Sequence, residues 1–310
     1  MTASGPVEVW RGGVNTWEID MMGHLNVRFY VARAMEGLVG AAAALGLAGA
    51  FKARAAATLI VREHHIRFLR EARPGAGLHM TVGVVSIDET EAVLLQTLVH
   101  SSTGEAAATF LTRVVHAVPA DGRPFPWPER AHEAAERLKV EVPSEAGPRG
   151  ISGEPFVSKA AMARADELGM ACSGRGAILP QDCDVFGRMG AEGFLGRISD
   201  GMGGFMAPMR DAMNAALEGR RIGGAAIEYR LVYLAWPRAG DGVELRSGWS
   251  GADSKVQRHN HWLLDPVTGQ AWGTSEAASV SLDLDARKLA TAPSEVLAEM
   301  QTWLTPGMSL

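Results

Sequence analysis

The sequence is poor in cysteine, in long apolar runs and in excess charge of either sign. Its 310 residues include only Cys172 and Cys183, which excludes a disulfide framework and makes a reducing cytoplasm the expected location. The formal net charge of −5 gives no basic field of the kind that nucleic acids attract. The longest apolar stretch, residues 37–51, is shorter than a membrane span, and no basic, apolar leader opens the chain, so we expect neither a membrane segment nor a secretory signal.

Several common catalytic and cofactor signatures are also missing. The sequence contains no serine nucleophile elbow, no P-loop and no dinucleotide fingerprint, since the glycine run at residues 201–204 does not follow a predicted strand. Two histidine clusters, residues 64–65 and 259–261, lie on predicted strands without a third ligand at metal spacing. We therefore expect no metal ion and no resident cofactor.

The chain repeats itself at an offset of about 164 residues, and its length suits two domains. Four blocks recur in the same order: the segment from Asp20 to Glu36 matches residues 184–200, and the blocks at residues 75–78, 103–106 and 128 match those at 240–243, 268–271 and 293. We interpret this as a duplicated domain, with a first copy in residues 1–125, a helical linker in residues 126–171 and a second copy in residues 172–310.

Each copy has the pattern of one helix and a meandering sheet. The first copy predicts a strand over 7–19, a helix over 27–47 with apolar residues at three- and four-residue steps, and strands over 58–69, 78–87, 92–100 and 106–118. The second copy predicts strands over 176–180, 222–234, 243–249, 256–264 and 271–282, and a helix from Ala191 that breaks before Pro208. A helix separate from an antiparallel sheet indicates the α+β class.

Polar side chains gather at the turn between the first strand and the first helix. Asp20, His24 and Asn26 lie around Gly23, which tolerates backbone angles that other residues avoid, and the helix begins at Val27. A helix N-terminus offers free N–H groups and a dipole that favours negative charge. The turn is therefore a candidate site for stabilising an oxyanion.

The pattern D-x-x-G-H-x-N, followed by Tyr30 and then Glu36, resembles the hotdog-fold thioesterases, and most closely the branch that acts on 4-hydroxybenzoyl-CoA, acyl-CoA and acyl-ACP. The resemblance implies a tandem double hotdog, in which a long central helix is wrapped by an antiparallel sheet in each copy and active sites lie where two central helices meet. It implies hydrolysis of an acyl-CoA or acyl carrier protein thioester, with CoA or phosphopantetheine present only as part of the substrate. A homodimer of double hotdogs is also expected.

The same resemblance assigns roles to the residues of the turn. Asp20 would act as nucleophile or general base, with His24 and Asn26 as further catalytic residues. Gly23, Val27, Tyr30 and Glu36 would bind the carbonyl oxygen or the substrate. The second copy keeps Asp184 but has Arg188 and Gly190 where the first has histidine and asparagine, so it would hold a degenerate site.

Each of these residues also has a purely structural interpretation. Asp20 and His24 suit a tight turn, Asn26 suits a helix cap, and Glu36 suits a polar contact on the helix. Arg188 is a candidate phosphate ligand or a surface residue, and the arginines at positions 62, 67, 70 and 73 are candidates for CoA phosphates or ordinary strand-edge charges. A hotdog hydratase or dehydratase, and a non-enzymatic acyl-CoA-binding module, remain alternatives because a fold does not fix its function.

Overall fold

The structure is a computed structural model that describes residues 5–310, and it contains two compact units. One unit consists of the chain up to Pro148 together with Asp182–Glu192. The other consists of Arg149–Gln181 and Gly193–Leu310. The predicted linker at residues 126–171 is thus divided between the two units, and the copy boundaries drawn from the sequence stay a prediction.

The first unit is built on an antiparallel sheet of five strands. Its elements are β1 (Val7–Gly13), α1 (Val27–Ala44), β2 (Thr58–Phe68), β3 (Gly77–Ile87), β4 (Glu91–His100), β5 (Ala106–Ala117) and α2 (Glu129–Arg137). Within the sheet the strands lie in the order β1-β3-β4-β5-β2, and each neighbouring pair is antiparallel. Tight turns join β3 to β4 and β4 to β5, as the sequence predicts.

The second unit repeats this plan. Its elements are α3 (Met162–Glu167), β6 (Ala171–Ala177), α4 (Ala191–Phe205), α5 (Ala207–Ala216), β7 (Ile222–Tyr233), β8 (Gly242–Ala252), β9 (Val256–Leu264), β10 (Ala271–Asp283), β11 (Lys288–Leu289) and α6 (Ser294–Thr302), except that the first two residues of α4 are counted with the first unit. The sheet order β6-β8-β9-β10-β7 is that of the first unit, strand for strand, with β11 added beside β10. The predicted α+β class and the duplication are confirmed.

Helix α1 lies close to the sheet of its unit because two of its residues lack side chains. A Cβ added to Gly40 would lie 2.6 Å from the carbonyl oxygen of Val9, and one added to Gly37 would meet the sulfur of Met80. The buried Gln96 of β4 also links the sheet to the helix, since its Nε2 donates a hydrogen bond to the Ala34 carbonyl of α1 at 2.7 Å. The helix is thereby held at a fixed height on the sheet, which fixes the position of its N-terminus.

The helix of the second copy is interrupted, as its sequence predicts. Helix α4 ends at Phe205, and α5 begins at Ala207 with Pro208 in its first turn. Proline lacks the N–H group that a helix interior needs but fits the first turn of a new helix. None of the helices within residues 5–310 has the length and apolar character needed to cross a membrane.

Two of the predicted strands are wrong in their bounds. The first strand ends at Gly13 rather than at Ile19, because Glu18 Oε2 accepts the Asn15 N–H at 2.9 Å and closes a short 3-10 turn over Thr16–Glu18. The strand predicted over 176–180 is instead β6, which begins at Ala171. That strand pairs with β8 only and is mostly exposed, so its sequence shows no alternation of apolar and polar residues.

Candidate active site

The loop between β1 and α1 uses one oxygen of Asp20 to hold its shape. Asp20 Oδ1 accepts the backbone N–H of Met22 at 2.8 Å and that of His24 at 3.4 Å. The Asp20 carbonyl accepts the N–H of Gly23, whose φ of +82° requires a glycine. Asp20 therefore has the turn-forming role that its residue type favours.

The second carboxylate oxygen of Asp20 has a different environment. Asp20 Oδ2 lies 3.2 Å from Nδ1 of His24, and the two side chains are 22% and 14% exposed. An imidazole N–H at this distance orients the carboxylate through a hydrogen bond. One oxygen is thus committed to the backbone, while the other is held by a histidine.

Asn26 caps the helix that follows. Its Oδ1 accepts the N–H of Arg28 at 2.9 Å, and its own N–H donates to the carbonyl of Glu18 at 2.9 Å. Within residues 5–310 the N–H of Val27, the first residue of α1, donates no hydrogen bond. The half-buried N-terminus of α1 therefore presents a free N–H donor at Val27, seven residues after Asp20 in the sequence.

Tyr30 lies in the core beneath this loop rather than on its surface. Its ring meets Phe68 edge-on with centroids 5.1 Å apart, and the residue is only 4% exposed. Burial raises the pKa of the Tyr30 hydroxyl well above its usual range, against a hydrogen bond to the Ala72 backbone that lowers it. The Leu25 N–H also donates to the Ala72 carbonyl, at 2.7 Å. Tyr30 thus supports the loop as a neutral phenol.

Glu36 belongs to a polar network along the outside of α1. Arg33 pairs with Glu36 at 2.6 Å and with the buried Glu18, while Glu36 also accepts the indole N–H of Trp10 at 2.6 Å. Because both oxygens of Glu36 are engaged, its geometry favours the structural interpretation over a direct role in chemistry.

The network contains two residues that the sequence reasoning missed, Glu18 and Arg33. Glu18 fixes the loop from both sides, since its carbonyl accepts the Asn26 N–H and its carboxylate binds Asn15 and Arg33. The three-residue spacing of Asn15 and Glu18 is the signature of a capping box and was available in the sequence. The pairing with Arg33 joins residues 15 positions apart and had no such signal.

The corresponding loop of the second copy repeats the backbone geometry closely. Asp184 Oδ1 accepts the N–H groups of Phe186 at 2.8 Å and Arg188 at 3.0 Å, and Gly187 has a φ of +74°. The Gly190 N–H donates to the Asp182 carbonyl at 2.9 Å, as Asn26 does to Glu18. The two loops are the same structure built from different side chains.

The difference between the two loops falls on the second carboxylate oxygen. Arg188 donates to Asp184 Oδ2 from Nε at 3.2 Å and from Nη2 at 2.9 Å, and its guanidinium also lies over the Phe186 ring. Arg188 is 7% exposed, so it is not the solvated surface residue of one interpretation. The arginine thus donates twice to the oxygen that meets a single imidazole nitrogen in the first copy, although the Asp184 side chain is the more exposed of the two, at 34% against 22%.

The remaining candidates have structural partners. Arg62 and Arg67 donate to the backbone carbonyls of Gly122 and Gly147, and Arg70 and Arg73 pair with Glu105 and Glu71. The histidine pairs at 64–65 and 259–261 are buried in their sheets. Across residues 5–310, no group of three or more His, Cys, Asp or Glu side chains is arranged to hold a metal ion.

Comparisons with known proteins agree on one class. The family model of the thioesterase-like superfamily matches residues 14–135 and again residues 178–300. Because one family model matches both ranges, the match supports the duplication. No curated protein matches the sequence significantly.

Solved structures with a similar fold cover nearly the whole chain. A protein assigned as an oleoyl thioesterase from Lactobacillus plantarum has a TM-score of 0.66 at 12% identity, over 91% of this chain and 98% of its own. The 12:0-ACP thioesterase from Umbellularia californica has a TM-score of 0.64 at 10% identity, over 89% and 94%. An acyl-ACP thioesterase from Bacteroides thetaiotaomicron has a TM-score of 0.62 at 10% identity, over 88% and 97%. These identities are low, so the similarity establishes the fold and not the substrate.

Proposed function

The chain belongs to the thioesterase-like superfamily, and on that premise we propose that it hydrolyses an acyl thioester of CoA or of an acyl carrier protein. The observation that carries this proposal is the loop of the first copy, in which Asp20 Oδ2 is oriented by a single contact to His24, close in sequence to the free N–H of Val27. A nucleophile or base and an oxyanion donor are the two groups that thioester hydrolysis requires.

The proposed reaction begins at the thioester carbonyl carbon. In the nucleophilic route, Asp20 Oδ2 bonds to this carbon, the C–S bond breaks, and the thiolate leaves; water then cleaves the resulting anhydride and restores the carboxylate. In the general-base route, Asp20 takes a proton from a water molecule whose oxygen attacks the carbon, and the thiolate leaves with that proton. Both routes give a free acid and a thiol and need no cofactor beyond the CoA or phosphopantetheine of the substrate.

The helix N-terminus would stabilise the negative charge that develops on the carbonyl oxygen. One well-placed donor of this kind contributes about 2.7–4 kcal/mol to transition-state stabilisation. Asn26 supports this donor indirectly, because its Oδ1 satisfies the next N–H of the helix and its backbone fixes the start of α1. His24 would act on Asp20 by holding Oδ2 in one orientation.

The second loop is not proposed as a second catalytic site. The carboxylate of Asp184 is paired with Arg188, and a glycine replaces the capping asparagine. An oxygen that accepts two charge-assisted hydrogen bonds is a poor nucleophile and a poor base. The proposal therefore assigns turnover to the first copy alone.

The test is thiol release from a panel of acyl-CoA and acyl carrier protein thioesters of increasing chain length. Asp20→Asn keeps an oxygen for the Met22 and His24 N–H groups and replaces only the outer oxygen, so it should fold normally and lose roughly 100- to 10,000-fold in kcat/KM. Asp184→Asn makes the same change in the same backbone geometry and serves as the matched control. Binding of the panel without turnover by the wild type would reject the proposal in favour of a binding module. Borohydride trapping of an acylated Asp20 would separate the two routes.

A further inference from the structure

Arg33 of α1 is held by three neighbouring side chains. Its Nη2 donates to the Glu18 carboxylate, and its Nη1 donates to Glu36 Oε1 at 2.6 Å. Its guanidinium lies over the Trp10 ring, 5.2 Å from the centroid, and the Trp10 indole donates to the other Glu36 oxygen at 2.6 Å. The Arg33 side chain is 13% exposed. Directional contacts on several sides give this guanidinium one defined position.

Glu18 joins this arginine to the loop that carries Asp20. The Glu18 side chain is 4% exposed, and its carboxylate accepts the Asn15 N–H at 2.9 Å as well as the hydrogen bond from Arg33. The Glu18 carbonyl accepts the N–H of Asn26 at 2.9 Å. Glu18 therefore contacts the start of the loop, the residue that precedes α1 and the second turn of α1 at the same time.

The pair between Glu18 and Arg33 fixes how the loop lies against the helix. Asp20 follows Glu18 by two residues. Arg33 follows Val27, the first residue of α1, by six residues, which correspond to about 9 Å along a helix axis. Long helical side chains point back towards the N-terminus, so the Arg33 guanidinium lies beside the first turn. A change in this pair therefore alters the position of the Asp20 backbone relative to the Val27 N–H.

A lysine cannot make the same set of contacts. Arg33 binds two carboxylates with different nitrogens of one planar group that also lies over an aromatic ring. An ammonium is a compact point charge on a flexible stem and does not reproduce this fork. Arg33→Lys therefore keeps a positive charge beside the buried Glu18 and loses the geometry.

The second copy has the same spacing of charged residues. Residues 182, 197 and 200 are an acid, an arginine and an acid, 164 residues after their counterparts in the first copy. Arg197 has the position of Arg33 in its own helix, and its Nη2 donates to the Ala177 carbonyl at 2.9 Å. Arg197 thus offers a control position at which a substitution leaves Asp20 and its loop intact.

From these contacts we propose that Arg33 is a positioning residue for thioester hydrolysis, and that it acts through Glu18 to hold the Asp20 carboxylate and the Val27 N–H at the spacing that the transition state requires. This role rests on the proposed function, since the spacing affects a rate only where both groups meet the substrate. Attack on the carbonyl carbon and stabilisation of its oxygen involve adjacent atoms, so the two protein groups must be placed together. Arg33 is given no contact with the reacting atoms in this role.

The expected loss lies in kcat rather than in KM. A displacement of about 1 Å between reacting groups costs on the order of 100-fold in rate. Arg33→Lys should therefore lower kcat by about 10- to 100-fold. KM should stay within about threefold of the wild type, because a loss confined to the transition state lowers kcat and kcat/KM equally.

The measurement is kcat and KM for the acyl-CoA that the wild type cleaves fastest, at a temperature well below the unfolding midpoint of each protein. Arg197→Lys is the matched control, since it makes the same change at the same helix position of the second copy. It should leave kcat unchanged. A loss of folded protein would instead lower kcat in both variants and would show as a lower unfolding midpoint.

A second variant and a second signal make the test independent of one substitution. Glu18→Gln combined with Arg33→Gln removes both charges and buries no unpaired charge, so it should fold and show the same loss of kcat. The helix N-terminus is followed by NMR on protein labelled with ¹⁵N-valine, in which the Val27 amide signal is the one missing from Val27→Ile. This signal should shift in Arg33→Lys and stay in place in Arg197→Lys.

The positioning role is supported if Arg33→Lys and the double variant lose kcat at nearly constant KM and Arg33→Lys shifts the Val27 signal, while Arg197→Lys changes neither. It is overturned if either folded variant keeps kcat within threefold of the wild type, if Arg197→Lys loses as much, or if the loss lies in KM, which would make Arg33 a substrate contact. A wild type that releases no thiol from any thioester fails the proposed function itself, and the positioning role fails with it.

Discussion

The substitution His24→Arg should convert the loop of the first copy into that of the second. The two loops share their backbone hydrogen bonds, and they differ in what meets the outer carboxylate oxygen: one imidazole nitrogen at 3.2 Å for Asp20, and two guanidinium nitrogens at 3.2 and 2.9 Å for Asp184. An arginine at position 24 has the same four-residue separation from its aspartate as Arg188 has. We expect it to form the same pair and to engage Asp20 Oδ2 with two hydrogen bonds instead of one.

The size of the effect follows from the hydrogen bonds that Asp20 would have to give up in order to react. A hydrogen bond to a charged group contributes about 1.5–3 kcal/mol. Losing the two guanidinium hydrogen bonds on the way to the transition state, less the one that His24 already makes, raises the barrier by the equivalent of one bond, about 1.5–3 kcal/mol. At 1.36 kcal/mol for each factor of ten, this corresponds to a fall in kcat/KM of about 10- to 150-fold.

The measurement is kcat/KM for the acyl-CoA that the wild type cleaves fastest, with thermal unfolding as a check on folding. The unfolding midpoint should stay within a few degrees of the wild type, because the new ion pair is partly exposed and such pairs contribute about 0–1 kcal/mol. A folded His24→Arg protein that retains activity within threefold of the wild type would refute the reasoning, since Oδ2 would then not be the reacting atom.

Three further predictions concern the second loop, the helix packing and acid stability. Asp184→Asn should leave kcat/KM within about threefold, and a loss equal to that of Asp20→Asn would contradict turnover in one copy alone. Gly40→Ala should lower the free energy of unfolding in urea titrations by roughly 1–3 kcal/mol, because its Cβ would meet β1. Its control, Gly203→Ala on the exposed face of α4, should raise the free energy of unfolding by about 0.5–1 kcal/mol. A change of the same sign in both variants would reject the close-packing argument. Burial lowers the pKa of His259 and His261 to about 3, so the unfolded chain binds more protons than the folded one below pH 6.5. The free energy of unfolding should therefore fall by at most about 1.4 kcal/mol per histidine per pH unit as the pH drops from 6.5 towards 3. Equal unfolding midpoints at pH 7 and pH 5.5 would contradict this.

Much of the fold could be predicted from the sequence because most helices and strands of each copy show a local pattern of apolar and turn-forming residues. The tandem hotdog architecture is confirmed by the family match and by the shared sheet order of the two units. The break at Pro208 follows from the backbone chemistry of a single residue. Helix α1 ends at Ala44, three residues before its predicted end, and Gly46 with a φ of +78° follows it. The edge strand β6 escaped prediction because a strand with one partner and little burial needs no periodic pattern.

The candidate site was predicted in its location more than in its contacts. The pairing of Asp20 with His24 joins residues four positions apart, within the short segment that resembles the family motif. The pairing of Arg33 with Glu18 and Glu36 depends on how α1 lies against the loop, which no local pattern reports. A pocket of the second unit lined by Phe156, Asn260 and Met308, among others, could not be predicted from the sequence, because its lining residues lie up to about 150 positions apart along the chain.

A comparison of the two loops distinguishes the structural role of the aspartate in the turn from its proposed role in the reaction. Asp184 keeps both backbone hydrogen bonds and the neighbouring positive-φ glycine although its outer oxygen is occupied by Arg188. The aspartate is therefore needed for the shape of the loop in either copy, and its presence alone is no evidence of catalysis. What distinguishes the first copy is the neighbour at the fourth position: a histidine makes one contact to the outer oxygen, whereas an arginine makes two charge-assisted hydrogen bonds to it. The argument for chemistry at Asp20 consequently depends on His24, which makes position 24 the more informative one to change.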